Sequence, residues 1–388
     1  MRVGAELDTY GCSESLGRIE LANPNRFSAG PKRERGPGVL QVITDSDRRG
    51  PQIFSQELGE ALKSRGRTIR TVALREGKTS NLLPVRPLGR HPLGPRTQRD
   101  LHREIRASRA VIAYGSKTLM ACAAAAVGSG VPLVFRSVGE PQYWANTFSR
   151  YLRTRWLYNR ADIVVALWPG SADVLTNRFG VPPHRIRIIP RGVSAQRFPR
   201  LDPESRAAAR RRLSIDSSTP TVAYLGALSP EKNIGSAIRA VGRIPEACLL
   251  VVGDGGERNG LQTLAGRVAP GRVFFLGPVS DPASILAAAD VVVLPSHTEG
   301  IPGVLIEAGL MGLPIVATSV GGVGEIVADG VTGILVPPGD ESALTTALRT
   351  TLRDPGTLGE QARQRCLDRF EISKVAASWD DLLHELGA

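Results

Sequence analysis

Cysteine, histidine and aromatic residues are scarce in this chain, and each scarcity removes a class of protein. The four cysteines among 388 residues (Cys12, Cys122, Cys248 and Cys366) have no CxxC or CxxH spacing. They support neither a zinc site nor a disulfide framework and fit a reducing cytoplasm. The five histidines, His91, His102, His184, His297 and His384, form no metal-ligand spacing either, so no metal and no resident cofactor is expected. Aromatics are only 5% of the residues, and no nucleic-acid recognition motif or set of stacking aromatics is present, so nucleic acid is not an expected partner. Long apolar runs are missing as well. The longest, Leu119 to Phe135, is broken by Gly128, Gly130 and Pro132, short of the roughly 20 residues that span a bilayer. The first residues lack a basic start followed by an apolar stretch, so export is not expected.

What the chain has is charge divided along its length. The net charge is +12, yet residues 39–200 hold 27 Lys and Arg against 10 Asp and Glu, while residues 201–388 hold 16 against 22. Opposite signs in two halves point to two different partners, with an anion or anionic surface facing the first; Arg-rich usage reflecting genome composition is the plain alternative. Residues 63–109 alone carry 13 basic against 3 acidic residues. Basic clusters gain about 1 kcal/mol per charge near anionic lipid, so association with an anionic membrane surface is the expectation.

The organisation is repetitive. Residues 1–38, ending in a Gly/Pro/charge cluster from Gly30 to Gly38, read as a flexible extension. Val39 to Ile43, Thr68 to Leu74, Ala110 to Tyr114, Val131 to Phe135 and Ile163 to Leu167 read as strands, with helices between them such as Ile53 to Leu62. After a polar, Arg-rich stretch from Pro203 to Leu213 the pattern restarts with Thr221 to Leu225, Cys248 to Val252, Val273 to Leu276, Val291 to Leu294 and Pro314 to Ala317. Continuously apolar strands suit parallel sheets covered on both faces. Two doubly wound α/β domains, 39–200 and 201–369, follow, with the ligand cleft between them. The final segment, with Val375, Trp379, Leu382 and Leu383 at helical spacing, is expected to pack back on the first domain.

The chemistry concentrates after Val291. The loop from Pro295 to Gly303 runs into a helical stretch, Val304 to Leu310, stopped by Gly312. Gly300 and Gly303 let backbone approach a ligand, and free amides at the helix start hold an anion. Glu299 and Glu307 beside such a start would repel phosphate, unless the ligand also presents vicinal hydroxyls for carboxylates to accept. A nucleotide sugar has both.

The ordered set Ser296-His297-Thr298-Glu299-Gly300-Ile301-Pro302-Gly303-Val304-Leu305-Ile306-Glu307-Ala308, then Gly312 to Thr318, Val320 to Glu325 and Asp329 to Pro337, resembles the E-x7-E region of retaining GT-B glycosyltransferases, glycosyltransferase family 4. The resemblance runs from Val39 to about Leu383 and implies two Rossmann-like domains facing across a cleft, the first of which receives the acceptor; with its basic cluster, an anionic or lipid-linked acceptor at the inner face of a membrane is the expectation. It implies that Glu307 binds the donor ribose, that Glu299 meets the donor sugar, and that the amides of Gly300, Ile301, Pro302 and Gly303 approach sugar and diphosphate. Tyr224 to Asn233 is similar to the family's strand and phosphate loop, implying that Lys232 neutralises the leaving diphosphate and that Gly226 lies at the donor. The family's arginine beside that lysine is Ala227 here. Gly253 and Val279 fall where the family meets nucleotide and base. Arg49 and Gly50 stand in the place of its glycine-rich loop, where Arg49 reads equally as an acceptor or phosphate contact and as a surface charge. Strand ends that often carry histidine lack it in Val111 to Ser116 and Phe135 to Glu140. A hexosyltransferase is the leading reading; a nucleotide-sugar-binding protein without turnover, suggested by Ala227 and the missing histidines, is its rival.

Overall fold

A computed structural model describes residues 38–78, 82–138, 145 and 147–388. The extension read at residues 1–38, apart from Gly38, lies outside the described residues, as do Gly139 and Glu140. The first half forms a seven-stranded parallel sheet of β1 (Val39–Asp45), β2 (Ile69–Arg75), β3 (Arg86–Gly89), β4 (Ala110–Tyr114), β5 (Leu133–Arg136), β6 (Ile163–Ala166) and β7 (Ile186–Ile188). Its spatial order is β3-β2-β1-β4-β5-β6-β7. The second sheet has six strands, β8 (Thr221–Leu225), β9 (Cys248–Val252), β10 (Val273–Gly277), β11 (Val291–Leu294), β12 (Ile315–Thr318) and β13 (Ile334–Val336), in the order β10-β9-β8-β11-β12-β13. The central strands are buried along their whole length, because helices cover both faces and leave no polar side for alternation.

The order reverses between β1 and β4 and again between β8 and β11. Loops leaving neighbouring strands diverge at such switch points and open a crevice beyond the strand ends. Both crevices carry the candidate residues described below.

Three edge strands, β3, β7 and β13, have no counterpart in the sequence reading. They are three or four residues long and partly exposed, so they lack the apolar run that marks an inner strand. The Arg-rich stretch at the break between the repeats is a helix, Pro203–Arg212, started by Asp202, whose side chain accepts from the Ser205 amide. Arg210 on it is buried and pairs with Asp290 at 2.6 Å, so this arginine locks the second domain rather than facing a ligand.

The chain crosses between the sheets twice, and the crossings are bonded to each other. The Val193 amide donates to the Phe370 carbonyl and the Ile372 amide to the Val193 carbonyl. The final helix, Ile372–Glu385, then buries Val375, Trp379, Leu382 and Leu383 in the same core as Val39, Phe54 and Leu58. Removing a buried tryptophan such as Trp379 typically costs about 3–5 kcal/mol, so this helix is part of the first domain's stability.

Candidate active site

The floor of the second crevice is backbone against backbone. Gly253 follows β9 at φ 128°, and a Cβ there would lie 1.8 Å from the Gly226 carbonyl oxygen. Gly253 is needed because the loop after β9 presses on the Gly226 backbone with no room for a side chain, while a Cβ on Gly226 would crowd the Tyr224 hydroxyl at 2.7 Å. Gly253→Ala combines a forbidden φ with a backbone clash and is expected to cost about 3 kcal/mol of stability or more. Chemical denaturation checks this, and a loss under about 1 kcal/mol would show the two loops to be pliable.

After β8 the chain makes a short turn, Pro230–Lys232, that ends with Asn233 in the left-handed region at φ 49°. Asn233 Nδ2 donates to the Pro295 carbonyl, tying this turn to the loop after β11. Lys232 is thereby aimed at that loop: its Nζ donates to Glu299 Oε1 at 2.7 Å, and Ser296 Oγ donates to the same oxygen at 2.6 Å. Thr318 Oγ1 donates to the Ser296 carbonyl and fixes the loop from β12. The Tyr224 phenol beneath is pushed above its ordinary value by burial and by the nearby Glu299 and Glu231 charges. Its hydroxyl donates to the Ala227 carbonyl. His297 is held by its backbone, whose amide donates to the Glu231 carbonyl, while its side chain is exposed.

Glu307 sits one turn inside the helix Gly303–Met311, which Gly312 ends at φ 79°. Burial raises its carboxyl above the ordinary range, with Arg191 and Arg197 pulling it back down. The nearest cation is Arg191, at 3.8 Å from Glu307 Oε1.

Arg191 was not among the residues singled out from the sequence. It lies in the first crossing between the sheets, and its guanidinium fills the space over two glycines, one from each domain. A Cβ on Gly50 would be 2.9 Å from Arg191 Nη1, and one on Gly303 would be 2.3 Å from Arg191 Cζ. Arg136, at the end of β5, is a second unforeseen cation. It is 2% exposed, stacks over the Phe54 ring at 4.1 Å, and is lowered to about 9 by burial, with Tyr114 opposing and Arg191 adding to the shift. The Nε of each arginine is buried without a hydrogen-bond partner. Arg191 and a helix N-terminus thus meet one carboxylate, Glu307, with the buried cation of Arg136 acting on Arg191 from the first domain. Such an excess of positive charge suits an anion. Their only sequence signal was an Arg ending a strand and an Arg between Pro190 and Gly192, neither of which marks a site without the fold.

The crevice at β1 and β4 holds a cavity of about 350 Å³ lined by Thr44, Asp45, Arg49, Arg75, Ser116 and Lys117 among others. Asp45, buried at its base, pairs with Arg49 and with Arg75 at 2.9 Å and accepts from Gln52 Nε2. Arg49, read from the sequence equally as an acceptor or phosphate contact and as a surface charge, is thus tied to Asp45 and, at 3.5 Å, to Asp47. A second cavity of about 330 Å³ adjoins through Arg75 and adds Arg90 and Arg96. Of the residues foreseen from sequence, the fold joins Lys232 with Glu299, Gly226 with Gly253, and Gly50, Gly303 and Glu307 around Arg191. Gly300 receives the Gly322 amide at its carbonyl, and Ile301 packs beside it against the Gly322 turn. Pro302 caps the helix, and Val279 packs on the second core.

Two doubly wound sheets facing across a cleft, with the basic crevice of one opposite the carboxylate and lysine loops of the other, define a protein of the GT-B architecture. Solved structures share it: HepE of Anabaena, determined with UDP-glucose, aligns with a TM-score of 0.80 at 23% identity over 89% of this chain and 99% of that one. The sucrose-phosphate synthase of Thermosynechococcus elongatus aligns with a TM-score of 0.77 at 24% identity over 91% and 99%. The chain belongs to the group 1 glycosyltransferases: residues 219–354 match the family described as Glycosyl transferases group 1, and residues 49–197 match Glycosyltransferase Family 4. It is 32% identical to the D-inositol 3-phosphate glycosyltransferase of Rhodococcus jostii over 53% of this chain and 48% of that protein. It is 34% identical to the GDP-mannose-dependent alpha-(1-6)-phosphatidylinositol monomannoside mannosyltransferase of Mycolicibacterium smegmatis over 58% and 63%. The chain spans about half the length of most of the curated relatives it matches.

Proposed function

We propose that this protein is a retaining glycosyltransferase that moves a hexose from a nucleoside-diphosphate sugar to a hydroxyl of an anionic, lipid-linked acceptor at the inner face of a membrane. The observation that carries the reading is the meeting of Arg191, Lys232 and the Gly303 helix start with two carboxylates, Glu299 and Glu307. The cations and amides suit a diphosphate; the carboxylates suit the hydroxyls of a sugar and a ribose. In the transfer, the bond from the anomeric carbon to the diphosphate oxygen breaks, and a bond to the acceptor oxygen forms on the same face. The acceptor proton leaves with the diphosphate. Negative charge grows on the departing oxygen, where Lys232 and Arg191 stabilise it. These fixed cations provide the charge that a divalent ion would otherwise supply, in keeping with a metal-independent reaction without a resident cofactor.

Retention is favoured by the acceptor side. Inversion needs a free general base near the acceptor hydroxyl. The carboxylate lining the first cavity, Asp45, is held in ion pairs by Arg49 and Arg75, so it is not a free carboxylate beside the acceptor. The same cavity carries Arg49, Arg75 and Lys117 against that one carboxylate, so its surplus charge fits a phosphate-bearing acceptor. The relatives named for D-inositol 3-phosphate and phosphatidylinositol monomannoside act, by those names, on acceptors of that kind. On the side of a binder without turnover stand the missing histidines and Ala227, where the family has arginine. Arg191 answers the latter with a cation from the other domain.

The test is a thermal-shift and calorimetry panel of UDP-, GDP- and ADP-sugars, since a ligand of the folded state raises its stability. One nucleotide is expected to stand out, and Glu307→Ala is expected to weaken it by about tenfold or more. Because ribose binding needs the ionised carboxyl and burial raises Glu307, affinity is expected to fall on acidification at a pH above the usual carboxylate range. Glu307→Gln should lose that acid limb. The same shift means that ionised Glu307 opposes folding, a cost relieved as pH drops through its raised pKa. No shift with any sugar nucleotide would overturn the donor assignment; binding without transfer or hydrolysis would favour the non-catalytic reading.

A further inference from the structure

The helix Phe148–Tyr158 carries an apolar ridge on its outer side. Phe148, Leu152 and Trp156 are 77%, 47% and 54% exposed, while Leu157 and Tyr158 enter the first-domain core from the opposite side. Positions four apart stack along one helix face, so the three side chains form one continuous strip. Arg150, Arg153 and Arg155 on the helix and Arg160 just beyond it are also exposed. The Arg160 guanidinium lies 4.6 Å over the Trp156 ring. No Asp or Glu occurs between Thr147 and Ala161. The helix packs beside Ser116–Ala125, which packs in turn beside Pro95–Arg106. That third helix shows exposed Arg96, Arg99, Arg103 and Arg106, so the basic rim continues across the layer.

Large apolar side chains in a row on a monomer surface mark an interaction site. The chemistry of the rim selects the occupant. Phe, Leu and Trp suit the boundary between headgroups and acyl chains, and flanking arginines suit lipid phosphates, as on helices that lie in the plane of a membrane. The path of the chain orients it. The crossover from β5 to β6 leaves at the strand ends that open the acceptor crevice and returns through this helix, so its Phe148 end lies toward that crevice.

We propose that the helix Phe148–Tyr158 seats this protein on an anionic lipid surface, with Phe148, Leu152 and Trp156 as the inserted edge. This deepens the acceptor reading above and rests on it for what the surface delivers, a lipid-linked acceptor brought to the first cavity.

Full-length protein is floated with vesicles of phosphatidylcholine and with equimolar phosphatidylcholine and phosphatidylglycerol, at low and high salt. Binding is expected to the anionic vesicles, weakened by salt, and weaker by about tenfold or more in Phe148→Ser/Leu152→Ser/Trp156→Ser. Its melting temperature and nucleotide-sugar binding should match those of the parent. Brominated lipid is expected to quench the parent's tryptophan emission, and Trp156→Phe to lose most of that quenching. Equal vesicle binding by parent and triple variant overturns the proposal, as does no binding by the parent. A dimer of the parent that the triple variant dissolves also overturns it, assigning the ridge to a second copy. Vesicle binding through the ridge without any donor binding would sink the donor reading and leave this surface standing; donor binding without vesicle binding would do the reverse.

Discussion

Lys232→Ala lowers the turnover number of transfer by about 10²–10³-fold, the scale of losing one charge stabiliser of the transition state. Lys232 donates to Glu299 at 2.7 Å, a contact that holds the ammonium in the cleft rather than in solvent. A donor diphosphate arriving there supplies the stronger partner, and the negative charge gained on departure is what the lysine meets. The loss therefore belongs in the turnover number more than in donor affinity. The substitution also leaves Glu299, 8% exposed, with Ser296 as its remaining side-chain donor, so a fall in stability accompanies the fall in rate. Lys232→Ala combined with Glu299→Gln separates the two: it recovers melting temperature and does not recover turnover. Single-turnover transfer at saturating donor is the measurement, and a rate within about twofold of the parent would remove Lys232 from the reaction.

Arg191→Ala is expected to reduce kcat/KM by about 10²-fold, on the scale of a charge-assisted bidentate contact. Its guanidinium lies over Gly303 at the helix start and shares the buried space with Arg136 and Glu307. Ala227 is exposed beside the lysine turn, so an arginine placed there has room. Arg191→Ala/Ala227→Arg should therefore recover part of the loss, whereas Arg191→Lys should not, because a point charge cannot replace the planar fork. A pH signature distinguishes this from a loss of packing. Without Arg191 the Glu307 carboxyl loses its largest opposing charge and rises further, so the acid limb of donor binding moves to higher pH in Arg191→Ala. Calorimetry of donor binding across pH reads it. Unchanged affinity, turnover and acid limb would show Arg191 to be a structural residue of the domain crossing.

The inner strands could be read because their burial on both faces demands unbroken apolar runs: Ala110 to Tyr114, Thr221 to Leu225 and Cys248 to Val252 coincide with the strands of the structure. The edge strands β3, β7 and β13 could not, since an edge needs only a few half-buried residues to pair on one side. The helix Pro203–Arg212 escaped notice because its face contributes chiefly Ala209 and the ion-paired Arg210 to the interior, too little to give a period. On the donor side, Lys232 and Glu299 were legible as members of local motifs, each with its own turn or helix-start glycines.

What those motifs left open was everything that depends on two distant segments meeting. Lys232 and Glu299 are 67 residues apart, and their ion pair exists because β8 and β11 are neighbours at the switch point. Arg191 reaches Gly50 and Gly303 because the chain crosses between the sheets there and is bonded to the second crossing at Phe370 and Ile372. Periodicity, turn chemistry and glycine placement are local, so the amino-acid sequence by itself determined two doubly wound domains and the donor loop with its two carboxylates. Which cations face those carboxylates, and which apolar helix faces are left uncovered, only the tertiary structure decided. Both follow from burial and charge summed over segments that no local pattern joins.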